Sequence, residues 1–533
     1  MKQAKFLSIA LSVFLLLMMT TNIFAAGGQN LQTQPAAQNI RKSFSILNVS
    51  LAPAPPPPDI DLNNNKWTEI FRKELPDTDI HWIIVPPDQL NQRVNILIGS
   101  GDFPDAIPMS MTQMIQWSEQ GIIQPLGNLY QKSYPNIYNF MTDDDLKSTK
   151  YNGRQFGIIV PWNRLVNPNI MAIRTDWLEN VKLPMPKTVS ELYNVLRAFT
   201  FNDPDRNGQN DTYGVAGALG GNVGFTFMRQ IFCAFGVVHG ADQYYFSKVG
   251  NELIPDFIRP EMRDAVDFLA RLYKEGIMDK DTLVMNQMQL EDKGVRGIVG
   301  LFGLPANGLA VRAYPNMLKT FPNAKVEIFI PPAAPDGNVH TPVQRNGGRI
   351  WGVSSRHSDP QIIVNFFNWM IGQDKSTLPL FTLNADKIYN GTIGIHSELI
   401  GNKFVVEIGQ DRLSQQGMAD LWRFCYRTHT GTMQSASDEI LFDITKTRVE
   451  QGLIHPIFQT AMQFTAQYGK TNAVAVTGPL YAQYMADIST YWEETLATII
   501  SGAKPITAFD DFVKFFYANG GQRIIDEVTA MNR

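Results

Sequence analysis

Between Asn202 and Gly214 the chain reads N-D-P-D-R-N-G-Q-N-D-T-Y-G, which brings side-chain oxygens to Asp203, Asp205, Asn207 and Asp211. The first three fall on alternate residues, and Gly208 stands where the chain has to turn sharply. A hard divalent cation takes about six to eight oxygens at short range, and a tight loop of alternating oxygen residues can aim them at one point. With the peptide oxygen of Gln209 as a further ligand, the pattern follows the opening of an EF-hand loop, and a structural calcium is the expected occupant. The bidentate Glu that closes such a loop is replaced by Gly214, and strand-like residues follow in place of an exiting helix, so a paired EF-hand sensor is not expected. The competing reading is an Asp/Asn/Gly turn that satisfies only its own backbone.

Other reactive constellations are missing from the sequence. The seven histidines are scattered. H-E-x-x-H, the G-x-S-x-G elbow and Cys/His zinc spacing do not occur.

The elements around the loop set its surroundings. Thr188 and Glu191 have the spacing of a capping box for a helix carrying Leu192, Val195, Leu196 and Phe199, which leads straight into the loop. Upstream, Phe44 to Val49 reads as a strand and Pro53 to Pro58 as a loop. Trp67, Ile70, Phe71 and Leu75 recur at helical spacing until Pro76, and Ile80 to Val85 is again a strand. A second strand-helix round ends at Asp105-Ala-Ile-Pro-Met, so a parallel, doubly wound α/β lobe is expected. Asn152-Gly153 predicts a hairpin tip, Pro260 to Glu275 a helix closed by Gly276, and Gly347 to Ser355 a strand. Helices end the chain, with Phe509, Phe512, Val513 and Phe516 on one stripe.

At 533 residues the chain is too long for one core. Its 44% hydrophobic and 18% charged residues are those of a globular protein. Residues 1–26 read as a secretory leader: Lys2 and Lys5, an apolar run from Phe6 to Met19, then Ala25-Ala26-Gly27. Its removal makes the formal charge of −4 more negative by two, which disfavours nucleic acid and anionic membranes as partners. The two cysteines, Cys233 and Cys425, sit among aromatics far from the leader and read as separate buried thiols, with a bridge as the alternative. Without a lipid-acceptor cysteine at the mature start, the expected address is the periplasm, in free form.

With these residues in place, the chain from about Ser43 onward resembles the extracellular solute-binding proteins of family 1, especially its alginate-oligosaccharide and LplA-like branch. The resemblance is carried by Ser100-Gly-Asp-Phe-Pro-Asp-Ala-Ile, Tyr151-Asn-Gly-Arg-Gln-Phe-Gly, Ile173-Arg-Thr-Asp-Trp-Leu-Glu with Pro186-Lys-Thr-Val-Ser-Glu-Leu-Tyr, and the run from Phe199 to Gly214. Leu272-Tyr-Lys-Glu-Gly-Ile-Met-Asp and the tail Ile499-Ile-Ser-Gly, Phe509-Asp-Asp-Phe-Val and Gly520-Gly add to it. It implies a type II periplasmic-binding-protein fold: two α/β lobes joined by hinge crossovers, with a ligand cleft between them. The resemblance also implies calcium held by Asp203, Asp205, Asn207, Gln209 through its carbonyl, and Asp211. Relatives often carry an acid at the next position, where this chain has Thr212.

On that basis we expect an N-terminal lobe from 43–165 plus 352–408 and a C-terminal lobe from 166–351 plus 409–533, after a flexible segment 27–42. The expected function is a non-enzymatic, monomeric component of an ABC importer that carries an oligosaccharide to membrane permease subunits. A secreted calcium-dependent polysaccharide hydrolase, or a sugar-sensing subunit for a receptor, is the alternative. Sugars present an apolar C–H face and a rim of hydroxyls, which suits flat aromatics beside directed polar groups. Trp67, Trp177, Trp369 and Trp492 lie on or beside helical stripes and read as core. Trp162, Asn163, Arg164, Arg349 and Trp351, at the expected passages between lobes, form the ligand set together with Arg174 and Trp422.

Overall fold

In the computed structural model the described residues are 42–49, 57–86, 89–127, 134–140, 143–160, 168–219, 224–239, 244–343, 349–370, 397–400, 403–406, 449–450, 454–474 and 477–533. The leader, the segment up to residue 41, most of the proline run, Trp162 to Arg164, and Trp422 with Cys425 therefore lie outside them. Among the described residues, no helix is long and apolar enough to cross a membrane.

Two main sheets are built from nine strands: β1 (Lys42–Val49), β2 (Thr78–Val85), β3 (Ala106–Met109), β4 (Gly157–Val160), β5 (Asn169–Arg174), β6 (Tyr213–Ala216), β7 (Val299–Pro305), β8 (Val326–Ile328) and β9 (Arg349–Val353). The first sheet has the order β2-β1-β3-β9-β4, the second β8-β5-β7-β6. The principal helices are α1 (Lys66–Glu74), α2 (Leu90–Ser100), α3 (Met111–Glu119), α4 (Val189–Phe201), α5 (Pro260–Lys274), α6 (Pro360–Met370), α7 (Ile457–Tyr468), α8 (Pro479–Ile500), α9 (Thr507–Ala518) and α10 (Gly521–Met531).

Local chemistry accounts for many of these boundaries. Asn65 caps α1 by accepting from the amides of Trp67 and Thr68, and Thr68 Oγ1 accepts from the Asn65 amide. The helix ends at Leu75, ahead of Pro76. Asn152 and Gly153, at φ 48° and 73°, form the hairpin tip that their sequence predicts. The box expected at α4 is half formed. Thr188 Oγ1 accepts from the Glu191 amide at 3.1 Å, but the Glu191 carboxylate turns to the amide of Lys187 at 2.8 Å.

The sheets are mixed rather than wholly parallel. β1 runs parallel to β2 and β3, whereas β9 is antiparallel to both β3 and β4. The reason is topological: β9 enters the first sheet from the side at which β4 leaves it. In the second sheet β5 is likewise antiparallel to β7 and β8, while β6 follows β7 in parallel.

Each sheet has its own core. Around the first, Phe44 meets Phe366 at 5.5 Å, Phe71 meets Trp82 at 5.8 Å and Trp351 meets Phe367 at 5.4 Å between ring centroids. The second is covered by α4, α5 and the tail helices, where Trp492 stands 5.0 Å from Phe512 and 5.9 Å from Phe509. Trp67, Trp177 and Trp492 are buried, and Trp369 is partly buried against the first core. Cys233 is a buried, unbridged thiol pushed up to about 12 by burial, which leaves it unreactive.

Candidate functional site

The strand directions define where a ligand can sit. The carboxyl ends of β1 to β4 lie at one edge of the first sheet, together with the amino end of β9. In the second sheet the carboxyl ends of β6, β7 and β8 share an edge with the amino end of β5, closed by the Ala306 amide donating to Pro168 O at 2.9 Å. β4 ends at Val160 on one of these edges and β5 begins at Asn169 on the other, and the chain returns from the second edge to the first between Ile328, which ends β8, and Arg349, which opens β9. The first passage is short enough to keep the edges within about 30 Å of each other. Crevices beyond strand carboxyl ends are the usual ligand sites of open α/β sheets.

A third link between the sheets was not foreseen from the sequence. Asn472 ties its segment to the second lobe: its side chain accepts from the amides of Phe246 (3.0 Å) and Val474 (3.1 Å) and donates to Tyr244 O (2.9 Å). A few residues on, Thr477 donates from its amide and hydroxyl to Met111 Sδ at 3.3 and 3.1 Å, beside the start of α3. Gln116 Nε2 then donates to Ala482 O at 3.1 Å. Glu527 accepts from the amides of Leu480 and Tyr481 and so caps α8; a Cβ at Gly478 would stand 2.3 Å from the Glu527 carboxyl carbon and push that capping carboxylate aside. The start of α8 thus packs on the first lobe, while its later turns lie in the second core. The signal was legible as apolar residues from Ala482 through Met485, Ile488, Trp492 and Leu496 at helical spacing after Gly478-Pro479.

Two members of the expected ligand set are committed elsewhere. Trp351 is 1% exposed, in register with Pro108 on β3 and Ile158 on β4, because β9 is an inner strand buried on both faces. Arg174 is 4% exposed; its Nε and Nη2 grip the two Asp176 oxygens at 2.8 and 2.5 Å, and its guanidinium lies 4.8 Å from the Trp177 ring. Arg349 opens β9 opposite Val160, at the carboxyl edge of the first sheet. Trp162, Asn163, Arg164 and Trp422 lie outside the described residues.

The acidic loop follows α4 and enters β6 at its amino end, the edge away from the passages. Asp203, Arg206 and Gly208 take left-handed backbone angles of 45°, 58° and 77°. Asp203 accepts from the amides of Asn207 (3.0 Å) and Gly208 (3.1 Å), and Asn180 Nδ2 pins the loop through Pro204 O at 2.7 Å. The Asn207 side-chain nitrogen sits among carboxylate oxygens, 2.9 Å from Asp205 and 3.2 and 3.3 Å from Asp211. Burial, with Asp203 and Asp211 close by, pushes the Asp205 carboxyl up. Among the described residues no three His, Cys, Asp or Glu side chains stand together as a metal-ready group. The donor set of hard oxygens nonetheless suits calcium. The amide nitrogen of Asn207 places partial positive charge between two carboxylates, and half a turn of that carboxamide exchanges a donor for an oxygen ligand.

Thr212, where relatives often carry an acid, and Gly214, where an EF-hand loop carries Glu, both have packing roles. Thr212 Oγ1 donates to Phe199 O at 2.8 Å, tying the loop to the end of α4. Gly214 allows β6 to lie against α4, where a Cβ would come 2.2 Å from Leu196 O.

A titratable cluster also stands beside the third link. Glu493 on α8 accepts from Tyr244 Oη at 3.3 Å and lies 3.7 Å from His239 Nε2, and burial pushes its carboxyl up to about 7. Trp492 Nε1 donates to His239 Nδ1 at 3.3 Å.

A family model described as bacterial extracellular solute-binding protein matches residues 61–375. The chain is 35% identical over 223 residues to Lipoprotein LipO of Bacillus subtilis, covering 41% of this chain and 42% of LipO. It is 31% identical over 232 residues to the fructooligosaccharide ABC transporter substrate-binding protein FusA of Streptococcus pneumoniae, covering 40% and 41% of the two chains. These alignments span about two-fifths of each relative's length. Among solved structures, alginate-binding protein AlgQ2 without calcium ion superposes with TM-score 0.66 at 17% identity over 92% of this chain and 97% of that one. An EF-hand mutant of FusA with fructo-nystose gives 0.65 at 19% identity over 92% and 99%. At such identities the likeness carries the fold alone: two lobes mixing helices and sheets.

Proposed function

Because the chain belongs to the bacterial extracellular solute-binding protein family, we propose that it captures an oligosaccharide between its two lobes and delivers it, unaltered, to an ABC permease. The observation that carries this reading is the pair of carboxyl edges joined by repeated chain passages, a layout that places a ligand against both lobes at once. FusA, described as binding fructooligosaccharide, supports the class of ligand. Trp162, Asn163 and Arg164 follow the carboxyl end of β4, and Arg349 opens β9 beside it; with Trp422 they are the proposed sugar contacts. Arg174 and Trp351 leave that set.

The lobes divide ahead of Arg349, since the whole of β9 belongs to the first sheet. The protein acts outside the cytoplasm, in the periplasm, as a monomer that meets the membrane through the permease. Calcium is held in the loop by Asp203, Asp205, Asn207, the Gln209 carbonyl and Asp211, and its role is to fasten α4 to β6.

Incubation with defined oligosaccharides tests the reading. Calorimetric binding with the full-length glycan recovered intact is the expected result, whereas steady release of shorter products assigns the chain to hydrolysis.

A further inference from the structure

We propose that the groove between β8 and α7 is a second saccharide site, lying on the flank of the C-terminal lobe and accepting a neutral sugar unit. β8 is the outer strand of its sheet, and α7 runs beside it. The space between them is about 510 Å³, within the range that ligand pockets span. Its helix wall carries Thr460, Gln463 and Gln467 on the exposed face of α7, with Phe464 and Tyr468 alongside at 5.3 Å between ring centroids. Tyr468 is half-buried and its hydroxyl accepts from Gln467 Nε2 at 3.0 Å, which holds ring and carboxamide side by side.

That combination matches a sugar. An aromatic face takes the C–H side of a ring, and two carboxamides with a hydroxyl offer donors and acceptors to its rim. The carboxylate of Glu327 is the charged side chain on the strand wall. Burial lowers the pKa of His455 at the far end, keeping that ring neutral, so the lining repels a uronate and accepts an uncharged unit.

An added peptide strand is the rival occupant and is less well served. β8 is three residues long, and the Val326 amide is already donated to Tyr314 Oη at 3.2 Å.

Position gives the groove a use. One end lies at Ile328, the carboxyl end of β8, on the same edge as the proposed cleft. Gly469–Thr471, directly after Tyr468, pairs with Thr341–Val343, which lies within the second passage. A glycan too long for the cleft could continue over the lobe into this groove.

The test uses the full chain with labelled isoleucine methyls, because Ile328, Ile330 and Ile457 line the groove while Ile107 and Ile159 report on the first sheet. Raffinose, a neutral trisaccharide, is titrated to high millimolar concentration. The expected result is a saturable shift of the three groove methyls, weakened about tenfold in the Gln463→Ala/Gln467→Ala variant. Both glutamines are exposed, and an unchanged melting temperature confirms the fold. Groove methyls that stay put, that move equally in the double variant, or that answer instead to digalacturonate or an extended peptide overturn the proposal. If the cleft itself takes no sugar, Ile107 and Ile159 remain still while the groove methyls move, so the two readings fail separately.

Discussion

Replacing Arg174 with leucine separates a structural from a ligand-binding arginine. Its guanidinium is held by both oxygens of Asp176, stacks 4.8 Å from Trp177 and lies 5.9 Å from Phe321, with side-chain exposures of 5% for Arg174 and 17% for Asp176. Removing one partner of a buried pair costs about 3–5 kcal/mol because the remaining charge is left unpaired. Asp176 keeps some access to water, which places the electrostatic part near the low end, and the lost cation–π contact adds about 1 kcal/mol. We therefore expect Arg174→Leu to lose about 3–4 kcal/mol in denaturant unfolding and to melt about 10 °C lower, with oligosaccharide affinity nearly unchanged below the transition. Asp176→Asn should be destabilising as well, and the double variant should lose less than the two single losses added together. A variant that melts with the wild type yet binds oligosaccharide at least tenfold more weakly would refute this and return Arg174 to the ligand set.

Two further predictions concern titration and metal. The Glu493 carboxyl stands at about 7 in the folded chain against an ordinary 4.5, so the folded state holds its proton more tightly and wild-type stability falls as pH rises from 4.5 to about 7. The full shift corresponds to about 3 kcal/mol, and with 35% of the side chain exposed we expect about 1–2 kcal/mol. Glu493→Gln should lack this slope in unfolding at about pH 5 and about pH 8, and an unchanged slope would clear Glu493 of the effect. Chelation should lower the melting temperature while leaving affinity intact, because the loop enters β6 at the edge away from the passages. Asp205→Asn should blunt that response, and a collapse of affinity at constant melting temperature would contradict it.

What the sequence revealed follows how local each determinant is. The acidic loop was legible because its residues are neighbours in the chain and its turn obeys alternation and a glycine. The Arg174 pairing was equally local, since Asp176 and Trp177 are two and three residues away, but an arginine beside a suspected hinge invites a functional reading. The burial of Trp351 was not legible because it depends on β3 and β4, strands about two hundred residues away in sequence that only the fold brings together. The start of α8 shows the same limit. Its apolar stripe announces a helix, yet nothing in that periodicity says that one turn faces the first core and the rest the second.

That divided helix bears on how the lobes could move. The cores around the two sheets are built from separate sets of residues, and Ala482 is the α8 residue shared with the first core. Among the described residues, the hydrogen bonds at that end include two to the Met111 sulfur and one from Gln116, beside the packing of α8 against α3. Sulfur is a weak acceptor, so the two bonds to Met111 give way more easily than bonds to oxygen would. A bend confined to the passages and the first turn of α8 would leave both sheets intact, which is the hinge form of domain motion. Under that geometry a sugar gripped from both sides needs only a few kcal/mol of extra affinity for the closed form to hold it. The acidic loop, at the far edge of the second sheet, would keep its place throughout.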